Sequence, residues 1–245
     1  MQKKLSAKIN APEILERQLR RRARKGEYGI IALSTSTEPY MKIEEKLQLT
    51  RKILKVILKY RFPVHILTKS NLVLRDLDLL EEIDNIAILP EDLANKMTHG
   101  AIITFSISTL NNDLAKILEP GAPSPQERLE TMKECKKKKF LTGIAFIPVL
   151  PFLSDSERNL AMMIRTAKEY GADYVFVGAL TLFGNKPADN KVLYYKFLKQ
   201  NYPELVPKYK SLYRIFFTPS KEYQKELEEK SERLCNKYKI KNRII

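Results

Sequence analysis

Five short apolar runs alternate along this chain with amphipathic helical segments, and each run ends in polar residues, proline or glycine. The runs cover residues 29–34, 63–68, 101–108, 143–148 and 174–179. Strands and helices that alternate at this spacing indicate parallel strands joined by crossover helices. Strands that are apolar throughout have both faces covered. The sequence therefore predicts an α/β fold, either a (β/α) barrel or a doubly wound sheet.

Helices are predicted between these strands from apolar residues at helical spacing and from proline or serine near the first turn. They cover residues 11–25, 42–60, 71–84, 90–97, 111–118, 125–138 and 155–170. From about residue 191 onward the pattern is helical only. We therefore expect a barrel-like part over 1–190 and a helical C-terminal extension over 191–245 that packs on it.

Polar side chains at the carboxyl ends of the predicted strands mark the expected functional edge. In a barrel of parallel strands these ends share one rim, where barrel enzymes carry their chemistry. The sequence has no GxGxxG, P-loop, GxSxG or HExxH motif that would name a different chemistry. One reading is a metal-free acid/base site, in which the carboxylate of Glu38 and the amine of Lys69 transfer protons.

Cysteine and histidine are scarce, which limits metal binding. Cys135 lies among lysines that could lower its thiol pKa, but a lone cysteine near a helix end is more often incidental. Cys235 in the tail is expected to pack against a neighbour. An iron–sulfur cluster needs about four ligands, and two distant cysteines do not supply them. His65 within a strand and His99 in a turn do not complete the set. No metal site is predicted within this chain.

The chain carries 44 Lys and Arg against 29 Asp and Glu, a net charge of +15. Such an excess favours a polyanionic partner such as nucleic acid, although Lys- and Glu-rich surfaces also accompany heat tolerance. The candidate nucleic-acid residues form the densest basic cluster: Arg17, Arg20, Arg21, Arg22, Arg24 and Lys25. Neither a run of about 18 apolar residues nor a signal-type start is seen, so we expect a cytoplasmic protein without membrane contact.

A set of short motifs between residues 34 and 128 resembles one known family. The motifs are Thr35-Ser36-Thr37-Glu38-Pro39-Tyr40, Leu49-Thr50-Arg51, Lys69-Ser70, Arg75-Asp76-Leu77-Asp78-Leu79-Leu80, Ser106-Ile107-Ser108-Thr109 and Glu119-Pro120-Gly121 with Arg128. In order and spacing they resemble the spore photoproduct lyase-like, "DNA repair photolyase" type of radical SAM enzyme. The resemblance implies a partial (β/α) barrel, S-adenosylmethionine and a 4Fe-4S cluster. In that family a 5′-deoxyadenosyl radical abstracts hydrogen from the substrate.

The resemblance also implies roles for residues at the strand ends. Thr35, Ser36, Thr37 and Glu38 would bind the methionine part of the cofactor. Lys69 and Ser70 would face its carboxylate or the substrate, and Ser106 and Ser108 its ribose. Glu119 and Arg128 would pair or hold the cofactor across the rim. The alternatives are structural: Thr35–Thr37 would cap a helix, Glu119 and Arg128 would form a plain salt bridge, and Arg75, Asp76 and Asp78 would be helix-start charges.

The chain departs from the family in lacking the CxxxCxxC loop that holds the cluster. We therefore expect a barrel without its first strand and cluster loop. The recorded start could be too late or a frameshift could have split the gene; the loop could lie on a separate chain that docks; or the activity could be lost. A missing first strand would leave the 29–34 strand with an unpaired apolar edge, which predicts poor solubility or oligomers.

Two functions follow as hypotheses. The first is a truncated or split radical SAM enzyme that cannot hold the cluster by itself. The second is a cluster-free basic α/β module that binds nucleic acid through the Arg17–Lys25 helix and the lysines at 136–139. No catalytic residue and no particular substrate are predicted.

Overall fold

The computed structural model describes residues 7–33 and 37–244. It contains a parallel five-stranded sheet in which the strands follow one another in chain order. The strands are β1 Ile31–Leu33, β2 Val64–Thr68, β3 Ala101–Ser106, β4 Leu141–Val149 and β5 Tyr174–Ala179. The helices are α1 Ala11–Arg24, α2 Glu44–Leu47, α3 Leu49–Lys59, α4 Leu77–Ile86, α5 Asn112–Leu118, α6 Pro125–Lys137, α7 Glu157–Glu169, α8 Asn190–Asn201, α9 Val206–Tyr213 and α10 Lys221–Lys237. The predicted α/β class with parallel strands is confirmed.

The chain divides into two compact units. The first comprises the described residues up to 105 together with 127–142, and the second comprises 106–126 together with 143–244. The predicted division at residue 190 follows the change from alternating to purely helical pattern, and it stays a prediction.

In the first unit, β1 pairs with β2 and β2 with β3, all in parallel. Val64 lies opposite both Ile31 and Ala101. Val64 and Ile66 are fully buried, because alternate residues of a strand point to the same side of the sheet. Helix α3 buries Leu54 and Ile57 at helical spacing, and α1 packs against it. Among the strands of the described residues, β1 is the first in the sheet order and so lies at one edge.

In the second unit, β4 and β5 pair in parallel from Gly143 opposite Tyr174 onward. A Cβ atom on Gly143 would overlap the Tyr174 ring, so this position requires glycine. The helices α8 and α9 add a largely aromatic core that includes Tyr194, Phe197 and Tyr209. Helix α10 packs on β5 and α7. The C-terminal part of the chain is therefore helical, as predicted. It also contains a non-helical contact, an isolated parallel bridge from Lys241 to Tyr174.

Three predicted helices differ in the structure. The helix expected over 71–84 is a 3₁₀ turn at Asn71–Asp76 followed by α4, which begins at Leu77 and ends at Ile86. The helix expected over 42–60 is broken at Gln48, whose φ of 50° ends α2 and precedes α3. The helix expected over 90–97 is a series of turns. Of the apolar residues in that segment only Met97 is buried, so the short helix lacks the packing that would offset its nucleation cost.

Within residues 7–33 and 37–244, none of the helices has the length and apolar content needed to cross a bilayer.

Candidate functional site

Glu38 is the centre of the best-defined polar cluster in the first unit. Its carboxylate accepts a hydrogen bond from the Thr68 hydroxyl, and also one at 2.8 Å from the backbone N–H of Lys69. The same carboxylate accepts the backbone N–H of Tyr40 at 3.1 Å. Because β1 and β2 are parallel neighbours, the segment after β1 and the end of β2 meet at one edge. Glu38 therefore fastens these two segments together.

The chain after β2 is held by a further series of hydrogen bonds. Thr68 Oγ1 accepts the backbone N–H of Ser70 at 2.9 Å. Ser70 Oγ in turn accepts the N–H of Leu72 at 3.2 Å and caps the 3₁₀ turn that follows. Ser70 is buried and the Lys69 side chain is half-buried. The structure thus brings together three predicted site residues, Glu38, Lys69 and Ser70.

Asp76 forms a buried ion-pair centre next along the chain. Its side chain is 0% exposed, and Oδ1 accepts Arg51 Nη1 at 2.8 Å and Arg75 Nε at 2.9 Å. Arg75 Nη2 also donates to Asp76 Oδ2 at 2.8 Å. Arg51 Nη2 also donates to Oδ2 of the exposed Asp78 carboxylate at 2.6 Å. This pairing lowers the pKa of Asp78 to about 2. Arg75, Asp76 and Asp78 lie at or just before the start of α4, as the structural alternative expects, and they also form an ion-pair network with Arg51.

The same network reaches the segment that follows Glu38. Arg75 Nη1 donates to the backbone oxygen of Glu44 at 2.9 Å, and its guanidinium lies 5.9 Å from the centre of the Tyr40 ring. Glu44 is buried and accepts the backbone N–H of Thr50 at 2.9 Å. Burial raises the pKa of Tyr40 well above its usual value, and Asp76 raises it further. The motif residues around Tyr40, Arg51 and Arg75 thus form one support for the segment that carries Glu38.

No role was predicted for Glu44 or Thr68, and Asp76 was interpreted as a helix-start charge. Their sequence signal was limited to their place in or beside the motifs. Neighbouring parallel strand ends predict that Glu38 and Lys69 meet, whereas the pairing of Arg51 with Asp76 joins residues from separate helical segments and leaves no local pattern.

The remaining predicted cofactor residues are placed as follows. In the second unit, Ser106 donates its hydroxyl to the backbone oxygen of Ile147 at 3.3 Å, Ser108 is buried and Glu119 follows α5. Arg128 is almost fully buried in α6 and belongs to the first unit. The pairing of Glu119 with Arg128 stays a prediction. Thr35 and Ser36 lie outside the described residues, and Thr37 is exposed.

The two cysteines are buried structural residues. Burial raises the thiol pKa of Cys135 to about 12 and that of Cys235 to about 11. The suggested lowering of the Cys135 pKa by flanking lysines is therefore wrong, because this side of α6 faces the core. Cys235 packs with its Sγ 4.0 Å from the backbone oxygen of Val175, as expected. Among the described residues, no three His, Cys, Asp or Glu side chains are arranged to hold a metal ion.

The histidines have structural partners. His65 Nε2 lies 2.6 Å from Thr104 Oγ1 on the neighbouring strand, and burial lowers the pKa of its imidazole to about 4. His99 Nδ1 lies 3.0 Å from Asp84 Oδ2, and the other oxygen of Asp84 accepts the N–H of Ala101.

The predicted basic cluster forms the exposed side of α1. Arg20 donates to the Tyr60 hydroxyl at 3.1 Å, Arg22 donates to the backbone oxygen of Glu27 at 3.1 Å and Lys25 pairs with Glu27 at 3.5 Å. The other three arginines, Arg17, Arg21 and Arg24, are exposed and lie on one face at helical spacing.

Comparison with known proteins identifies the family of this chain. Residues 3–164 match the model of the radical SAM superfamily. An uncharacterised protein of Mycobacterium tuberculosis is 29% identical over 235 residues, which cover 95% of this chain and 63% of that protein. An uncharacterised protein of Methanocaldococcus jannaschii is 33% identical over 177 residues, which cover 72% of this chain and 58% of that protein. The chain thus spans somewhat less than two thirds of the length of these relatives.

Solved structures give the same fold. A spore photoproduct lyase variant with bound S-adenosylmethionine and dinucleoside spore photoproduct superposes with a TM-score of 0.61 at 16% identity, covering 93% of this chain and 64% of that one. SuiB of Streptococcus suis bound to S-adenosylmethionine gives 0.51 at 12% identity, with 85% and 43% covered. The predicted partial barrel of the radical SAM type is thereby confirmed. Because the family model matches about two thirds of its length, this chain belongs to the radical SAM superfamily.

Proposed function

We propose that this chain is the S-adenosylmethionine-binding body of a spore photoproduct lyase-like radical SAM enzyme. The observation that carries the proposal is the carboxylate of Glu38, which joins the segment after β1 to the backbone of Lys69 at the end of β2. This cluster lies inside the part of the chain that matches the family. A polar site whose loops are fixed beforehand binds a polar ligand with less ordering cost.

In this proposal the chain's own residues position the cofactor. Lys69 offers an ammonium group to a carboxylate, and Ser70 supports the turn beneath it. Glu38 keeps both segments in place, since a carboxylate with three donors acts as a fixed acceptor. The cofactor, when bound, supplies the 5′-deoxyadenosyl group from which radical chemistry starts. Roles for Ser106, Ser108, Glu119 and Arg128 toward the same ligand are part of the proposal.

The described residues do not fit a 4Fe-4S cluster. Both thiols are buried, in separate units, and their pKa values are raised, whereas cluster ligands are thiolates that meet at one point. We propose that the cluster thiolates come from polypeptide outside this sequence, either encoded upstream in the same gene or carried by a separate chain. Translation of the genomic DNA upstream of the Met1 codon in three frames tests the first source, because it would reveal a CxxxCxxC loop.

Binding of the cofactor is testable on the chain itself. Saturation-transfer difference NMR detects weak complexes, and we expect transfer from the protein to the adenine and methionine protons of S-adenosylmethionine. Glu38→Gln should reduce this signal, because the amide group cannot accept all three hydrogen bonds. Glu45→Gln, an exposed carboxylate on α2, is the matched control. Absence of transfer at millimolar ligand would overturn the proposal.

The second candidate function is nucleic-acid binding through α1. The specific support is the row of exposed arginines Arg17, Arg21 and Arg24 on one helical face. Such a row can contact successive phosphates of a backbone. Replacing all three by glutamine should lower affinity for a labelled oligonucleotide. The slope of log K against log salt should also become shallower, by roughly 0.7 to 0.9 for each phosphate that the variant no longer neutralises. An unchanged slope would reject this surface.

A further inference from the structure

A cavity of about 810 Å³ opens in the second unit, between the turn after β4 and the segment that joins α9 to α10. Its volume lies in the range of small-molecule and cofactor sites. None of the residues that line it belongs to the predicted cofactor set or to the basic helix α1. Six of the lining residues have side chains that indicate the kind of ligand this cavity would bind: Phe152, Lys208, Arg214, Phe216, Lys221 and Glu222.

Two phenylalanines that line the cavity are unusually exposed. Phe152 is 43% exposed and Phe216 is 63% exposed, and the neighbours of Phe216 in the chain, Ile215 and Phe217, are 90% and 60% exposed. Three consecutive large apolar residues in contact with water are an unfavourable surface for an isolated protein and mark an interaction site.

The exposed segment is fixed by backbone hydrogen bonds. The N–H of Phe216 donates to the backbone oxygen of Tyr213 at 2.8 Å, and the backbone oxygen of Phe217 accepts the N–H of Leu182 at 2.7 Å. The N–H of Ser220 donates to the oxygen of Leu212 at 3.1 Å. The aromatic groups are thus presented by an ordered chain, which reduces the entropy cost of binding a ligand.

Two lining residues have strained backbones. Phe152 has a φ of 64°, and Arg214 has a φ of 44° with a ψ of −115°. Arg214 directly follows α9, but its ψ of −115° lies outside the left-handed region in which a residue commonly ends a helix. The other described non-glycine residues with positive φ also lie at or just after the ends of helices: Gln48, Arg61, Lys139 and Lys239. A bulky residue in a turn with positive φ is an outlier, and such strain is concentrated at ligand sites. The Phe152 ring lies against Tyr209, with ring centroids 5.6 Å apart.

The charges around the cavity favour an anion. Lys208, Arg214 and Lys221 line it together with a single carboxylate, Glu222. Lys208 Nζ lies 5.7 Å from the centre of the Phe152 ring, so a cation and an aromatic face occur side by side. A ligand that matches this pairing has a flat ring and a negative group joined by a short spacer.

We propose that this cavity binds a nucleotide unit, with the base stacked on the exposed phenylalanines and the phosphate at the lysine and arginine side chains. Stacking accepts any base because every base has a π face, and the cations recognise phosphate by charge-assisted hydrogen bonds. The unit can be a free nucleotide or one residue of a single strand. The proposal is independent of cofactor binding at Glu38.

The test uses the complete chain and two fluorescent probes: 2-aminopurine riboside monophosphate, and a short oligothymidylate with 2-aminopurine at its centre. Stacking on phenylalanine changes the 2-aminopurine emission. Phe216→Leu should weaken binding of the preferred probe about tenfold, while Phe183→Leu, which removes a comparably exposed ring (59%) outside the cavity, should not. K208Q together with R214Q should lower affinity and the salt slope, and the exposed control K225Q should leave both unchanged.

The two probes separate the sources of the ligand. Binding of the monophosphate with equal or higher affinity than the oligonucleotide supports a free nucleotide, and binding of the oligonucleotide alone supports a nucleic-acid strand. Equal effects of Phe216→Leu and Phe183→Leu, or no emission change with either probe, would overturn the proposal. Because Phe216 is 63% exposed, its substitution leaves the core intact. Loss of S-adenosylmethionine binding in a separate titration bears only on the Glu38 site.

Discussion

The carboxylate of Glu38 accepts the backbone N–H of Lys69 at 2.8 Å, and this bond joins the segment after one strand to the end of the next. A hydrogen bond to a charged acceptor is stronger than one between neutral groups. This hydrogen bond therefore fixes the position of the Lys69 backbone. The backbone N–H of Tyr40 and the hydroxyl of Thr68 donate to the same carboxylate. Four predictions test this and other parts of the structure.

Glu38→Gln should destabilise the first unit by about 1–3 kcal/mol, because one acceptor oxygen is replaced by a donor that faces backbone and hydroxyl donors. Urea unfolding followed by circular dichroism measures the change. Glu45→Gln should alter the free energy of unfolding by less than about 0.5 kcal/mol, as a surface substitution does. Equal values for both variants would mean that the Glu38 hydrogen bonds do not hold the segments together.

Asp76→Asn should cost about 3–5 kcal/mol, since it leaves Arg51 and Arg75 around a buried neutral side chain. Asp78→Asn removes the exposed partner of the same Arg51 and should cost about 0–1 kcal/mol. Thermal or urea unfolding of the two variants gives the comparison directly. A loss at Asp78 as large as that at Asp76 would contradict the assignment of Asp76 as the centre of the network.

Stability should fall on acidification through His65. Its pKa is about 4 in the folded protein against an ordinary value of 6.5, so between these values the unfolded chain binds the proton and the folded chain does not. The free energy of unfolding therefore decreases as pH falls from about 6.5 to 4, by up to about 1.4 kcal/mol per pH unit. His65→Gln should flatten this part of the profile. A parallel profile for both proteins would show that His65 titrates normally.

Anaerobic reconstitution with iron and sulfide should leave this chain without a stoichiometric 4Fe-4S cluster. Its two cysteines are buried, and the pKa values of their thiols are raised. Iron analysis and the absorbance near the cluster charge-transfer band provide the measurement. The double variant C135A/C235A should show the same iron content as the unchanged chain. Four iron atoms per chain, absent from the double variant, would contradict the proposed external ligands.

Several features followed from the sequence because their causes are local. Apolar runs predicted the five strands, and parallel strand ends predicted that Glu38 and Lys69 lie together. The Arg51–Asp76 pair was missed because an ion pair across 25 positions leaves no periodic signal. The lysines beside Cys135 in the sequence did not indicate its thiol pKa, because the helix turns this side chain into the core. The segment over 90–97 was given a helix from its residues, although packing decides whether a short helix forms.

The tyrosines of the second unit give the protein a built-in optical probe. The chain has no tryptophan and 12 tyrosines. Tyr194 and Tyr209 join their hydroxyls at 2.8 Å, and Tyr209 and Tyr213 donate to the backbone oxygens of Pro151 and Leu180. Burial raises the pKa of all three phenols, so they stay protonated in alkaline solution where exposed phenols ionise. Ultraviolet absorbance during an alkaline titration therefore reports when the packing of α8 and α9 opens, without any added label.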